Sequence, residues 1–386
     1  MNDSVAVTED RRISLVFTGT GMEYFKIWIV NICLTIVTLG IYSAWAKVRR
    51  MRYFYGNTRL ANHGFAYLAD PVKILKGRII AVGVLVIYSL SWDFFPQLGF
   101  WFMTALLLLL PFILVTAMSF NMRNSAYRNI TFFFKRDYAG AYKMFAWPVA
   151  VTLVLTWLGF SLFESSDMLN QIEQADKTGE FDKMQMLPSV FMLCVMPFIP
   201  YLDFVRSRFI VNKTQYGKLP ATFSTGVWSF YKIYLIAMLM FFVMGVCFGF
   251  GMAAFAAMFE QAPKKNDFGS IFVIMVIFYS FSFFVAGYMR AARTNLIFNH
   301  TAFGDNRLGC DMKSLKVGWL YLSNTIAIIL SVGLLIPWAQ VRMTRYIVEC
   351  TTVDVTGLEE VVAMTPEELS SLGEEMVDAF DLDLGL

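Results

Sequence analysis

Apolar residues in this chain come in long unbroken runs separated by short polar, basic stretches. Six runs stand out, at about 78–95, 100–120, 144–163, 187–204, 229–258 and 270–289. Each approaches or exceeds the ~20 residues that carry a helix across ~30 Å of hydrocarbon, and the run at 229–258 is long enough to tilt or protrude. Two further runs, 24–45 and 317–338, end in near-copies of one decapeptide: AWAKVRRMRY at 44–53 and PWAQVRMTRY at 337–346. With the decapeptides superposed, Asn31 aligns with Asn324 and Gly40 with Gly333. None of the runs alternates with a period of two, as strands of a membrane β-barrel would. The pattern predicts an all-α polytopic membrane protein with six to eight transmembrane helices.

The flanks of the runs recur as well. A Lys precedes one run in each group (Lys26, Lys76, Lys143, Lys232, Lys316), and an Arg cluster closes it: Arg49/Arg50/Arg52, Arg123/Arg128, Arg206/Arg208, Arg290/Arg293, Arg342/Arg345. Thr follows at one spacing from Arg50 to Thr58, Arg123 to Thr131, Arg206 to Thr214 and Arg293 to Thr301, while Thr351 has Met343 at the matching place. The stretches around these Thr, such as YFYGNT, RFIVNKT, NLIFNHT and RYIVECTT, lean toward β structure and lead into turns. The chain therefore divides into five degenerate helix–Arg cluster–short strand units, about 13–70, 71–140, 141–225, 226–312 and 313–355, with small β hairpins on the cytoplasmic side. Residues 1–355 form one membrane-embedded domain, and 356–386 an acidic C-terminal tail.

Composition sharpens this. Of 386 residues 57% are hydrophobic and only 16% charged, against about 25% charged in soluble domains. No short apolar segment with a small-residue cleavage site opens the chain, so no removable signal peptide is expected. All Lys and Arg lie at or before Arg345, whereas ten acidic residues and no basic one lie from Asp354 onward. Segment 47–78 has eight basic residues and one acidic, while loop 164–183 has six acids and two lysines. Basic loops stay cytoplasmic, so the middle three units read as hairpins with outer loops 94–99, 164–186 and 259–269. Units one and five have a single run each. Those runs either cross, giving eight spans, or dip and return at Gly40, Gly333 and Pro337, giving six.

Candidate sites follow from what is costly in a membrane. Asn31, Asn121 and Asn324 lie within apolar runs and, with Gly40 and Gly333, mark either a solute path or a helix contact. The basic and aromatic set Lys26, Trp45, Arg49, Arg50, Arg52, Arg123, Arg206, Arg293, Trp338, Arg342 and Arg345 either binds anionic lipid or anchors helix ends at the interface. Asp203 has Arg206 three residues on, which predicts a local ion pair. Gly245, Gly249 and Ala253 form a small-residue face suited to close helix approach. FTGTG at 17–21 reads as a flexible turn into the first run. His63 and His300 make a weak metal pair, so neither metal nor cofactor is expected. The five cysteines are scattered, without CxxC, and read as packing residues. In the tail, Leu369, Leu372, Met376 and Phe380 give an apolar stripe at helical spacing. It either frays or docks on a basic surface.

The stretch GMEYFKIWIVNICLTIVTLGIYSAWAKVRRMRYFYGNTRL closely resembles the opening block of the YjgN family of bacterial inner-membrane proteins, which consists of a domain of unknown function. The resemblance runs from about 13 to 355. LANHGFAYLADP is a looser match, and the acidic end lies beyond it. The resemblance implies a bacterial inner-membrane location for this multi-pass chain. It implies no activity and carries over no site residues. No nucleophile, metal set or acid pair stands out, so an enzyme is not expected. The leading expectation, by analogy with repeat-built transporters, is a transporter or channel-like protein for a small or amphipathic solute. The alternative is a lipid-organising scaffold holding anionic phospholipid or a protein partner on its basic face. A homo-oligomer fits either reading, and nucleic acid fits neither.

Overall fold

The computed structural model describes residues 11–94, 96–144, 146, 147, 150, 151, 154, 196–258 and 268–355. The helices are α1 (Gly21–Val37), α2 (Ser43–Asn57), α3 (Pro71–Phe94), α4 (Pro96–Arg123), α5 (Ile199–Lys213), α6 (Val227–Met258), α7 (Phe268–Asn299), α8 (Ser314–Leu330) and α9 (Ile336–Glu349). The strands are β1 (Arg11–Ser14), β2 (Val16–Phe17), β3 (Thr58–Leu60), β4 (His63–Tyr67), β5 (Ser125–Tyr127), β6 (Ile130–Phe134), β7 (Thr214–Tyr216), β8 (Leu219–Phe223), β9 (Thr301–Phe303), β10 (Asn306–Cys310) and β11 (Thr351–Val355). All of them join one 11-stranded sheet in the order β1-β11-β10-β9-β8-β7-β6-β5-β4-β3-β2. This overturns the all-α polytopic class. The small hairpins are not separate appendages but one antiparallel, nearly closed barrel. Among the described residues only Thr104–Arg123 and Val227–Phe250 are helices long and apolar enough to cross a membrane.

The barrel is assembled from very short pieces. Four helices, α2, α4, α5 and α7, each run into a three-residue strand that turns and returns as a five-residue strand: β3–β4, β5–β6, β7–β8 and β9–β10. The turns carry left-handed backbone at Ala61 and Asn62, Arg128 and Asn129, Gly217 and Gly304, as tight hairpin turns demand. Expected β stretches such as YFYGN and RFIVN are helical, and the strand begins at the hydroxyl residue itself. There the side chain donates to the carbonyl four residues back: Thr58 to Phe54, Ser125 to Asn121, Thr214 to Ile210, Thr301 to Ile297 and Thr351 to Ile347, at 2.7–2.9 Å. The hydroxyl thus satisfies a carbonyl that the ending helix leaves free. In the second strand pair this position belongs to Ser125. Thr131 instead sits mid-strand in β6, opposite Ala126.

Neighbouring pairs are sewn together by the register of β4 on β5, β6 on β7, β8 on β9 and β10 on β11. One further backbone bond ends each seam: Leu68 N–H to Asn124 O, Lys135 to Lys213, Ser224 to His300, Asp311 to Cys350 and Thr18 to Asn57, at 2.8–3.1 Å. Closure uses both ends of the chain. β1 pairs with β11, β2 pairs with β3, and these two strands are the halves of one stretch, 11–17. At Leu15 the stretch changes partner, its N–H reaching Thr351 O at 3.0 Å. Inside, Leu60, Tyr127, Tyr216, Phe303 and Val355, each the last residue of its strand, form an apolar collar. The Tyr216 hydroxyl donates to Tyr127 O and the Tyr127 hydroxyl to Leu60 O, at 3.0 and 2.8 Å. Burial pushes the Tyr216 phenol up to about 12. The collar borders a cavity of about 290 Å³.

The helices leave the barrel as hairpins. α3 with α4 and α6 with α7 are long, whereas α1 with α2 and α8 with α9 are short. The runs 24–45 and 317–338 therefore each contain a turn at which the chain reverses. α1 ends in a Schellman motif: Leu39 N–H bonds Ile36 O, Gly40 N–H bonds Thr35 O, and Leu39 and Gly40 have φ of 50° and 93°. Val332 and Gly333 repeat this at 51° and 88°, with Gly333 N–H on Ile328 O. Thr38 and Ser331 brace the turns by accepting from the N–H of Tyr42 and Leu335. Both tips are apolar and bare, Leu39 being 94% and Val332 92% exposed. FTGTG is no loose turn: Thr20 and Glu23 form a capping box on α1.

Glycine marks one close helix crossing. A Cβ on Gly287 of α7 would lie 2.4 Å from Gly318 N of α8, whereas nothing comes within 4 Å of Gly245 or Gly249. The small-residue face of α6 is thus uncovered within the described chain, and the tight contact sits elsewhere. Gly287→Ala forces α7 and α8 apart and is expected to cost ~1–3 kcal/mol, read as a lowered thermal midpoint in detergent. Gly249→Ala, with open space around it, should leave the midpoint unchanged or raise it.

Candidate functional site

Where the first short hairpin meets α3 and α9, the helices leave a cavity of about 400 Å³. α1 contributes Tyr24, Trp28, Asn31, Ile32, Thr35 and Ile36, α2 contributes Ala46, Lys47 and Arg50 as well as Ser43, α3 contributes Arg78, and α9 contributes Gln340. Among the described residues three cations and no carboxylate line it. Lys47 is only 6% exposed. Arg78 donates to Ser43 Oγ across the cavity wall. Two amide oxygens, Asn31 Oδ1 and Gln340 Oε1, are buried without a hydrogen-bond partner. Such orphans are rare in native interiors, because each forfeits its hydration for nothing. A cluster of three cations with two idle acceptors suits an anion that also carries a donor, such as a hydroxyl-bearing phosphoester or a protonated acid.

The predicted residues disperse over several roles. Asn31 donates to Ala46 O at 3.5 Å and Asn324 to Ala339 O at 3.4 Å, so each amide staples the two arms of its short hairpin. In the second hairpin Arg342 completes the arrangement, donating to Asn324 Oδ1 and Ser323 Oγ while lying over Trp338 at 5.1 Å. Gly40 and Gly333 form the hairpin tips. Asn121 stands at the end of α4, outside the cavity, where its carbonyl receives Ser125. Arg50 lines the cavity, but Lys26 and Arg49 are exposed. Trp45 packs against the cluster of Ala44, Val48, Tyr67 and Ile74. Arg52 reaches Tyr67 O, Arg123 lies over Phe133, and Arg345 donates to Gly19 O at 2.8 Å. Arg206 is half-buried on α5.

Asp203 takes a different partner from the one expected. It receives Arg293 of α7 at 2.8–2.9 Å through both oxygens and the Tyr234 hydroxyl of α6 at 3.3 Å. Three helices meet at this carboxylate. Spacing alone had pointed to Arg206, since sequence shows local neighbours and not distant ones. His63 and His300 each bond a nearby carbonyl, Ala61 and Leu296, and no metal-binding group occurs among the described residues. Cys310 is buried, but Cys33 and Cys247 are exposed and so are not core packing residues; Cys194 and the tail stripe lie outside the described residues.

Sequence reasoning missed Lys47, Arg78, Ser43 and Gln340. A signal was present for two of them. In AWAKVRRMRY and PWAQVRMTRY, Lys47 faces Gln340 and Arg50 faces Met343. The copies differ at the decapeptide's two cationic positions in the cavity, Lys47 and Arg50. Arg78 offered no such signal, because it comes from the next helix pair.

Comparison with known proteins adds a family and no fold. A family model described as a bacterial protein of unknown function, DUF898, matches residues 12–379. The match continues past 355 into the acidic tail, further than the expected resemblance. The chain is 26% identical over 392 residues to a protein of Salmonella typhimurium named inner membrane protein YjgN, covering 96% of each chain. A namesake from Escherichia coli O157:H7 is 30% identical over 160 residues, 41% of this chain and 39% of that one. Another from Escherichia coli K12 is 50% identical over 54 residues, 14% of each. No solved structure matches.

Removing one partner of a buried pair strands the other charge. Asp203→Asn should therefore destabilise the protein by ~2–4 kcal/mol, seen as a lower thermal midpoint in detergent. Arg206→Gln, which leaves the Arg293–Asp203 pair in place, should leave the midpoint nearly unmoved.

Proposed function

The chain belongs to the YjgN family, the bacterial proteins described as DUF898, and from that premise we propose that it is an inner-membrane protein that binds and passes a small or amphipathic anion. The cationic cavity of Lys47, Arg50 and Arg78 carries the reading. Lys47 is buried and Arg50 and Arg78 are half-buried around this one cavity, and cations gathered in a partly desolvated space raise the local potential in favour of an anion. Location is supported by the relatives' names and by the helices. α3 and α6 expose Ile79, Val82, Leu85, Leu239 and Phe242 along their lengths, a surface too apolar for water. The short hairpins then dip into the membrane with their bare tips and return, a backbone arrangement that membranes tolerate where protein or a cavity surrounds it. By the distribution of Lys and Arg, the barrel faces the cytoplasm.

A second reading rests on Ile36, which borders the cavity and is itself 68% exposed. A site open toward lipid accepts an anionic headgroup in place. The protein would then hold phospholipid rather than move a solute, as a scaffold. Both readings share the anionic group and separate by experiment.

The copies supply conservative variants. Lys47→Gln and Arg50→Met install what the second hairpin already carries at those positions. In vesicles of phosphatidylethanolamine and phosphatidylglycerol, uptake of inorganic phosphate or dodecyl phosphate should depend on the protein. The double variant should lower it at least ~10-fold, roughly the loss of one 1.4 kcal/mol contact, and Arg49→Gln should not. Uptake that survives the double variant defeats the transport reading. Absence of uptake, with phosphatidylglycerol retained by the wild type and lost from the variant, establishes the scaffold instead.

A further inference from the structure

We propose that the acidic C-terminal segment, residues 356–386, folds back over the turn end of the barrel and seats its apolar stripe in the mouth of the lumen. Val355, the last described residue, is also one of the five collar residues around the 290 Å³ cavity. β11 is held there by its pairing with β1 and β10, and Arg12 grips Asp354 at 2.9 Å. The chain is thus delivered to the rim of the lumen and must continue from it.

Two complementarities then point to the same occupant. The first is apolar. The lumen is walled by Phe65, Tyr127, Phe132, Tyr216 and Phe303, whose polar atoms are turned to backbone carbonyls where they exist. Water finds no partners in such a space. A cavity of 150 Å³ already holds a benzene ring, so this one takes a large side chain with room left. Leu369, Leu372, Met376 and Phe380 fall on one face at helical spacing, and residues 356–368 span up to roughly 45 Å when extended. That reach allows the stripe to return to the mouth it left.

The second complementarity is charge. Arg59, Arg128, Lys218 and Arg307 stand exposed on the strands and turns at this end, with Asp305 the exposed acid beside them. From Asp354 onward the chain has ten acids and no base. A segment so charged is held near a basic rim at cellular ionic strength over about 8 Å. The occupant is the protein's own tail rather than a free acid, because the tail is tethered at the collar and its effective concentration there is of millimolar order.

Lys218 is the lysine of that rim, so it reports contact. Carbodiimide joins carboxylates to amines only where they touch. In the full-length protein, treatment should yield a peptide linking Lys218 to residues 356–386, within one chain when light and heavy isotope-labelled protein are mixed. Leu372→Asp with Met376→Asp should lower that link at least fivefold and raise labelling of Lys218 by an amine reagent to match. These variants lie outside the barrel and leave its strands intact. Absence of the link, or a link found only between light and heavy chains, overturns the proposal. So does unchanged Lys218 labelling in the variants.

Discussion

A strand edge is a row of unpaired N–H and C=O groups, and this molecule is organised around removing such edges. Its strand pairs are three residues against five, too short to persist alone in water. Each has two raw edges, and each edge fits the next pair by the same register. Satisfaction propagates round until the last edge meets the first. The helix pairs are then held at fixed positions around one small barrel, because β3, β5, β7, β9 and β11 each begin where a helix ends. The hydroxyl at that junction, Thr58 or its counterparts, spends its proton on the helix and leaves the backbone to the sheet. The cationic cavity follows from this placement: Lys47, Arg78 and Gln340 come from three helix pairs that only the ring makes neighbours.

Local features of this fold were legible in the residues. The hydroxyl residues at one spacing, the glycines at 40 and 333, and the paired decapeptides each announce a real geometric feature. What could not be read is pairing between distant segments. Nothing local tells β4 that its partner is β5, or Asp203 that Arg293 waits on another helix. The strand positions were blurred for a related reason. YFYGN and RFIVN carry β-branched and aromatic residues that favour strands in isolation, yet packing of Tyr53 and Phe54 on Tyr24, and of Phe209 on Phe134, keeps them helical. Arg123 to Thr131 matched by spacing alone, and the hydroxyl that does the work, Ser125, is simply nearer.

The short hairpins show how one motif diverges under a shared frame. Asn31 and Asn324 keep the same staple, and Leu39 and Val332 the same left-handed backbone at a bare tip. A β-branched Val in that conformation is uncommon, and both tips share the pattern. In the second hairpin Arg342 and Ser323 close around the amide, and its oxygen is satisfied. In the first, the corresponding oxygen is idle and the neighbouring position is Lys47. The same scaffold is thus finished as structure on one side and left open as a site on the other.

The partner change at Leu15 has a consequence for how the protein is made. Residues 11–14 leave the ribosome among the first and pair with 351–355, nearly the last segment of the described chain. Until that segment emerges, β1 has no neighbour and β10 stays open on one side. A messenger cut short anywhere before codon 351 therefore yields a chain with two sticky margins, however well its helices have inserted. The seam is a completeness check: only a polypeptide translated through β11 can shut the ring, and every product that stops before it keeps the edges of β1 and β10 unpaired.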